Sequence, residues 1–395
     1  MRPNVLQLIS SFHQGGSERQ ALQLARLLKR SSQYNVRLAC MDKAGMLSGE
    51  AEEMGFTDIP EYRLTSFYDR NALAQVRRFA LYLQKRRIDI IQTHDFYSNI
   101  FGMVAARLAG VRVRIAARRE TFGWRTRAQK IVERRAYSLA HAIVANSEAV
   151  RRQLQVEGIA NRKIVTIHNG IDPNRFVPVA NFNRAEALAS FGLPVEPHLC
   201  FVLIIANLRH EVKDHPTFLR AARQVHAAVP TARFVIAGEG ELTDAMRHLA
   251  ARLGIASSTF FTGRCTRVAE LLAVSDVCVL SSKAEGFSNS ILEYMAAARP
   301  VVVTDVGGAR EAVSDGETGY IVSAEADEAM AGRILALLEN PGLARLMGEQ
   351  GRRIVEEKFS CAAQLSATEA LYDRLLAPNA PGIANRIDGV QRQIA

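Results

Sequence analysis

The sequence predicts an α/β protein made of two doubly wound parallel-sheet halves in tandem, with a cleft between them. Three observations carry this. Short β-branched runs alternate with longer amphipathic stretches, the pattern of repeated βαβ units. The cycle halts in a dense turn signal, His168-Asn169-Gly170-Ile171-Asp172-Pro173, and restarts near residue 201. Charge divides the same way: residues 1–178 hold 29 Lys+Arg against 15 Asp+Glu, and residues 179–395 hold 21 against 25.

In the first half, residues 5–10 read as a strand and 17–30 as a helix with Ala21, Leu24, Ala25 and Leu28 on one face. Strands follow at 36–40, 88–93, 114–117, 142–145 and 164–167, and helices at 72–85, 100–109, 126–139 and 148–156. Residues 176–195 read as a linker. The second half gives strands at 201–206, 233–237, 259–261, 277–280 and 301–304, with helices at 216–228, 241–253, 290–298 and 325–339. Amphipathic helices at 343–358 and 362–376 end the pattern, and the Pro-, Gly- and Asn-containing stretch 377–395 reads as a frayed tail. Ligands of open parallel sheets sit beyond the carboxyl ends of the strands, so the chemistry belongs in those loops.

With 395 residues, 48% of them hydrophobic and 23% charged, the chain has the composition of a soluble globular protein. No apolar run approaches the roughly 20 residues that span a bilayer, and the start lacks the apolar core of a signal peptide. Five scattered cysteines without metal-ligand spacing fit a reducing compartment, so a cytoplasmic address is expected. The basic half suits nucleic acid, an anionic membrane or an acidic small molecule. No finger, knuckle or aromatic-basic signature supports the first, and nucleic acid is not an expected partner.

The first strand leads into Gly15-Gly16-Ser17-Glu18, where paired glycines allow close backbone approach to a ligand and Ser17 can cap the next helix. A tight turn alone would need the same glycines. The G-x-G-x-x-G fingerprint and the P-loop are both absent, which argues against a dinucleotide oxidoreductase and an ordinary NTPase. After the strand at 201–206, Arg209 and Lys213 put two cations on one loop, a pair able to hold a pyrophosphate. After the strand at 277–280 come Glu285, then Gly286, Phe287, Ser288 and Asn289, whose amides lie at a helix start, and Glu293 inside that helix. A helical carboxylate there suits a ribose, although Ser290 to Glu293 also spells a capping box.

Read together, 276–322 closely resembles the C-terminal domain of the retaining GT-B glycosyltransferases of family 4. The pieces are Glu285-Gly286-Phe287, the Glu285/Glu293 pair, Arg299-Pro300-Val301, Val306-Gly307-Gly308 and Gly316-Glu317-Thr318-Gly319. Similarity extends through Gly238, Arg209 and Lys213 back to Gly15-Gly16, Thr93-His94-Asp95 and Asn169-Gly170. The resemblance implies two Rossmann-like domains, residues 1–178 for the acceptor and 179–361 for a nucleotide-diphosphate sugar, with the helix at 362–376 returning to the first. It implies Arg209 and Lys213 on the diphosphate, Glu293 on the ribose, and Glu285 with the amides of Gly286 and Phe287 on the transferred sugar. Gly16 would close over the phosphates. Family members carry a His near the end of the strand at 114–117; this chain has Arg118-Arg119-Glu120 there, with His94 one loop earlier.

Without an Asp-x-Asp or a ligand cluster, leaving-group charge falls to cations and helix amides, so a metal-independent transfer with no cofactor is expected. The acceptor class suggested is a glycan or a lipid-linked sugar, as in cell-surface polysaccharide or glycolipid synthesis. A sugar-nucleotide epimerase or a catalytically silent sugar-nucleotide binder is the alternative. Between 112 and 135 lie nine Lys/Arg and only two acidic residues, with Phe122 and Trp124 among them. That mixture suits peripheral docking on an anionic membrane, with the acceptor near His94, Arg118 and Arg119.

Overall fold

The computed structural model of the chain describes residues 2–13, 15–121, 125–177 and 181–377. It divides into two compact units, one of Met1–Asn169 with the segment that begins at Cys361, the other Gly170–Ser360. The tail at 378–395 and the aromatic pair Phe122 and Trp124 lie outside the described residues.

The first unit holds strands β1 (Asn4–Ile9), β2 (Asn35–Cys40), β3 (Ile90–Thr93), β4 (Val113–Arg118), β5 (Ala142–Ala145) and β6 (Ile164–Thr166). They form one sheet in the order β2-β1-β3-β4-β5-β6, every pairing parallel. Its helices are α1 (Gly16–Arg30), α2 (Leu47–Glu53), α3 (Arg70–Lys85), α4 (Phe96–Leu108), α5 (Arg127–Leu139) and α6 (Glu148–Val156). Strand residues alternate between two helical layers, as pleating demands. Leu6, Leu8, Ile91 and Ile143 pack under α3 to α6 through Phe79, Phe101, Tyr137 and Leu154. Val5, Ile90 and Ile115 face the opposite layer, where Leu24 and Leu28 of α1 meet Leu371 and Tyr372 of the chain's last helix (Cys361–Leu376).

The second unit holds β7 (Cys200–Ile205), β8 (Ala232–Ala237), β9 (Thr259–Gly263), β10 (Val277–Leu280), β11 (Val301–Thr304) and β12 (Gly319–Val322). Their order is β12-β11-β10-β7-β8-β9, again parallel. Helices α7 (Arg184–Ser190), α8 (His215–Ala228), α9 (Thr243–Arg252), α10 (Val268–Val274), α11 (Asn289–Ala296), α12 (Ala309–Ala312), α13 (Asp327–Glu339) and α14 (Pro341–Lys358) cover both faces, and the last helix of the chain is α15. In each sheet the chain reverses direction of growth once, between β1 and β3 and between β7 and β10. Crevices of this kind at strand carboxyl ends are where open α/β sheets bind ligands.

Several details differ from the sequence reading. The division falls at Gly170, not after residue 178, because Ile171 and Phe176 pack into the second unit's core and Ile171 N–H donates to Phe359 O. The linker at 176–195 contains α7, started by Asn183 accepting from the amides of Ala185 and Glu186. Helix α4 begins at Phe96, four residues early, because Asp95 and Ser98 complete a capping box. Helices α2 and α10 and edge strand β12 went unread: each is short, and β12 opens on a glycine.

Candidate functional site

In the second unit the loops after β7, β10 and β11 are stitched together. A short 3-10 turn, Glu211–Lys213, ends at Asp214, which is buried at a left-handed φ of 47° and hands the chain to α8. Asp214 tolerates that conformation better than most residues and is fixed there by the Thr217 hydroxyl, 2.7 Å from its Oδ2. Ser281 Oγ donates to Lys213 O at 2.9 Å, and Lys283 N–H to Val212 O at 2.8 Å. Lys213 Nζ then donates to Glu285 Oε1 at 2.6 Å, and Ser282 Oγ to the same oxygen at 2.7 Å.

The β11 loop closes against Glu285 from the other side. Gly308 N–H donates to Gly286 O at 2.9 Å. Gly307, at φ 56°, lies so close that a Cβ would strike the carbonyls of Glu285 and Gly286. Gly238 follows β8, and a Cβ there would meet Ala206 O, so the β7 and β8 loops are equally tight. Helix α11 is pinned onto the end of β7: Ile205 N–H donates to Tyr294 Oη at 2.7 Å, and Ser290 Oγ donates to Ile205 O at 3.0 Å.

These contacts sort the expected residues. Lys213 and Glu285, 72 positions apart, are brought together at the β7/β10 switch point. Arg209 shares the Lys213 loop, but it is exposed and its guanidinium faces Glu239 at 3.8 Å. Phe287 contributes its ring to the core, 5.2 Å from the Phe359 ring, which leaves only its backbone for a ligand. Ser288 is the N-cap of α11, yet its side chain makes no capping bond. Asn289 opens the helix, and Glu293 is half-buried within it. The capping box of Ser290 and Glu293 does not form, because Ser290 lies inside the helix and its hydroxyl serves Ile205.

In the first unit the corresponding switch point carries a buried polar chain. Tyr372 Oη donates to Gln92 Oε1 at 2.6 Å, and Gln7 Nε2 donates to Tyr372 Oη at 2.9 Å. His94 Nε2 lies 2.7 Å from Gln7 Oε1, and its Nδ1 lies 3.4 Å from Arg119 Nη2. A guanidinium only donates, so His94 Nδ1 accepts and the ring proton sits on Nε2. That fixes the direction of every bond back to Gln92. His94 is buried, not a solvated loop residue, and burial together with the Arg119 charge holds its pKa well below the ordinary histidine value. It is neutral. Arg119 also donates from Nη1 to Asn169 Oδ1 at 2.7 Å, while its buried Nε has no partner among the described residues. Burial pulls Arg119 down to about 10, opposed by the carboxylates of Glu18 and Asp95.

Glu18 lies in the first turn of α1, and burial raises its pKa, with Asp95 adding to the effect. Gly15 is the N-cap of that helix and Gly16 its first residue, so Ser17 sits inside the first turn and does not cap it. Arg118 does not join Arg119. It ends β4 pointing the other way, buried, in an ion pair with Glu157 and 4.0 Å from Glu133. Adjacent residues leaving a strand take opposite faces, so an acceptor site can use Arg119 but not Arg118. Gln7 was not singled out from sequence, where a lone Gln amid the apolar run Val5-Leu6-Gln7-Leu8-Ile9 was the available signal, and Asn169 was read as part of a turn and of the family resemblance but given no role at the site. Among the described residues no group of three or more His, Cys, Asp or Glu could hold a metal ion.

Comparison with known proteins follows the same two halves. A family model described as Glycosyltransferase Family 4 matches residues 14–175, and one described as Glycosyl transferases group 1 matches residues 200–340. D-inositol 3-phosphate glycosyltransferase 1 of Catenulispora acidiphila is 30% identical over 311 residues, covering 73% of this chain and 71% of that protein. Alpha-maltose-1-phosphate synthase of Mycobacterium tuberculosis is 28% identical over 310 residues, covering 73% and 79%. The crystal structure of Anabaena HepE in complex with UDP-glucose shares the fold, with a TM-score of 0.81 at 18% identity over 94% of this chain and 99% of that one. The loops that gather Lys213 and Glu285 therefore belong to a GT-B glycosyltransferase: the chain is a member of glycosyltransferase family 4, the group 1 glycosyl transferases.

Proposed function

We propose that this glycosyltransferase takes a nucleotide-diphosphate sugar as donor, binds it at the β7/β10 switch point of the second unit, and transfers the sugar with retention of configuration. The observation that carries the reading is the Lys213–Glu285 pair, a cation and a carboxylate 2.6 Å apart at a strand-end crevice. Lys213, aided by Arg209, holds the diphosphate; Glu293 holds the ribose; Glu285 and the amides of Gly286 and Phe287 meet the sugar. Gly238, Ser288 and Asn289 complete the donor loops. The anomeric C–O bond to the diphosphate breaks and the acceptor oxygen bonds the same carbon from the same face. The departing phosphate oxygen takes the acceptor's proton. Charge on the leaving group is met by cations and helix amides and requires no metal.

The acceptor is assigned to the first unit, at Arg119 and His94, and is read as a glycan or lipid-linked saccharide of cell-surface polysaccharide or glycolipid synthesis. Membrane docking is supported by the outer faces of α3, α4 and α5, which expose Leu73, Leu81, Leu108 and Ile131 beside Arg77 and Lys130. The only carboxylate in those three helices, Glu133, is buried. No helix among the described residues is long and apolar enough to cross a membrane. The experiment is a nucleotide-sugar panel followed by nucleoside diphosphate release, with and without lipid extracts, and by NMR of the product anomer. Release that needs no acceptor and yields an epimer, or tight donor binding with no turnover across an acceptor panel, would overturn the transferase reading.

A further inference from the structure

A second anion-binding constellation lies at the other end of the first unit's sheet. A cavity of about 540 Å³ opens where β4 and β5 begin, between the carboxyl ends of α4, α5 and α15. Arg107, Arg114, Arg162, Lys163 and Arg374 line it, together with His141, and no carboxylate does so among the described residues. Strand β4 runs from this cavity to Arg118, and six residues at about 3.3 Å each put roughly 17–20 Å between it and the Arg119 site.

The cations play two parts. Lys163 Nζ donates to the carbonyls of Ser138 at 2.9 Å and Ala140 at 2.8 Å, and Arg114 Nε donates to Leu139 O at 2.7 Å. The end of a helix is normally its negative pole; these two side chains satisfy the last carbonyls of α5 and reverse the sign of that wall. Burial, with Arg162 and Arg114 close by, pulls the Lys163 ammonium below its ordinary value. Arg114 N–H also donates to His141 Nδ1 at 3.1 Å, and Arg114 Nη2 lies 3.1 Å from His141 Nε2. Around the mouth, Arg107, Arg162 and Arg374 are exposed and have no ion pair among the described residues.

We propose that this cavity is a binding site for a phosphate-bearing ligand, with Arg107, Arg162 and Arg374 closing over the phosphate oxygens at its mouth. Its volume admits a phosphate ester as well as bare phosphate. The ligand is either a soluble sugar phosphate or a phospholipid headgroup, and the phosphate contacts are the same for both. The site is independent of the donor site, since every lining residue belongs to the first unit.

The test uses equilibrium dialysis of the full chain against glucose 1-phosphate and, in a separate arm, dihexanoyl phosphatidylglycerol below its micelle concentration. The triple variant R107Q/R162Q/R374Q changes only exposed side chains, and Lys213→Ala serves as the second unit's reference. The expected result is that at least one probe binds wild type and Lys213→Ala alike and binds the triple variant at least tenfold more weakly. Binding confined to the lipid arm assigns a headgroup; binding of glucose 1-phosphate assigns a soluble ester. Equal affinity in wild type and triple variant, loss confined to Lys213→Ala, or no binding of either probe overturns the proposal.

Discussion

Lys213→Met separates a diphosphate-holding lysine from one that only neutralises Glu285. The two side chains are 20% and 14% exposed and 2.6 Å apart. At an effective dielectric near 20, Coulomb's law gives roughly 6 kcal/mol of gross attraction at that distance, most of it consumed by desolvation. Stranding one partner of a buried pair costs about 3–5 kcal/mol, and of an exposed pair about 1 or less. Glu285 keeps the Ser282 hydroxyl, so unfolding free energy should fall by about 2 kcal/mol, and Lys213→Met/Glu285→Gln should recover most of that. Function is read by calorimetry with a nucleoside and with its diphosphate. If Lys213 carries phosphate charge, diphosphate affinity drops by about tenfold or more, as for charged hydrogen bonds, while the nucleoside is unchanged within about twofold. Turnover should fall by about a hundredfold. An equal loss for nucleoside and diphosphate would mean that Lys213 merely supports the loop, and the assignment would fail.

Glu293→Gln should weaken donor binding by about 1–3 kcal/mol in calorimetry without loss of helix stability, since Ser290 bonds Ile205 and no capping box is forfeited. Turnover should survive EDTA and gain nothing from added magnesium; abolition by EDTA would place a metal on the diphosphate. His94 is neutral in the native state and titrates near 6.5 when unfolded, so its contribution is intact above that pH and is lost as pH falls below it. Between pH 7 and 5.5, wild type should therefore lose about 1 kcal/mol more stability than His94→Gln, measured by urea unfolding. Anionic vesicles should co-sediment the protein at low salt and release it at high salt, and equal binding to neutral vesicles would dismiss the basic face of α3 to α5.

The strands were legible because a parallel sheet covered on both sides needs unbroken apolar runs, and Val277–Leu280 and Val301–Thr304 are such runs. Edge strand β12 was not, being half-exposed and glycine-led. Helix starts slipped wherever a cap lay outside the apolar period, as at Asp95 and Asp69. The site was legible in kind but not in pairing. Residues Lys213 and Glu285 are linked by a crossover of 72 positions, which no local spacing encodes. Arg118 and Arg119 are adjacent and identical in type, and only strand register decides that one is spent on Glu157 while the other reaches His94.

That register bears on the departure from the family pattern. Where relatives are expected to place a histidine after the fourth strand, this chain has a guanidinium that cannot act as a base at neutral pH, even when burial lowers it to about 10. Its imidazole, His94, is one loop away and is committed: Nε2 donates to Gln7, and Nδ1 accepts from Arg119. Neither group is placed to take the acceptor's proton, because His94 has no ring nitrogen left and Arg119 holds its charge. In the proposed transfer that role falls to the donor's departing phosphate oxygen. The chain through Gln7 and Tyr372 makes α15 part of this arrangement, since removing the Tyr372 hydroxyl would free Gln7 to rotate and release the constraint that keeps His94 Nδ1 facing Arg119. In the proposed reaction this chain of hydrogen bonds would hold Arg119 to orient an oxygen-rich acceptor, with the acceptor's proton passing to the leaving group.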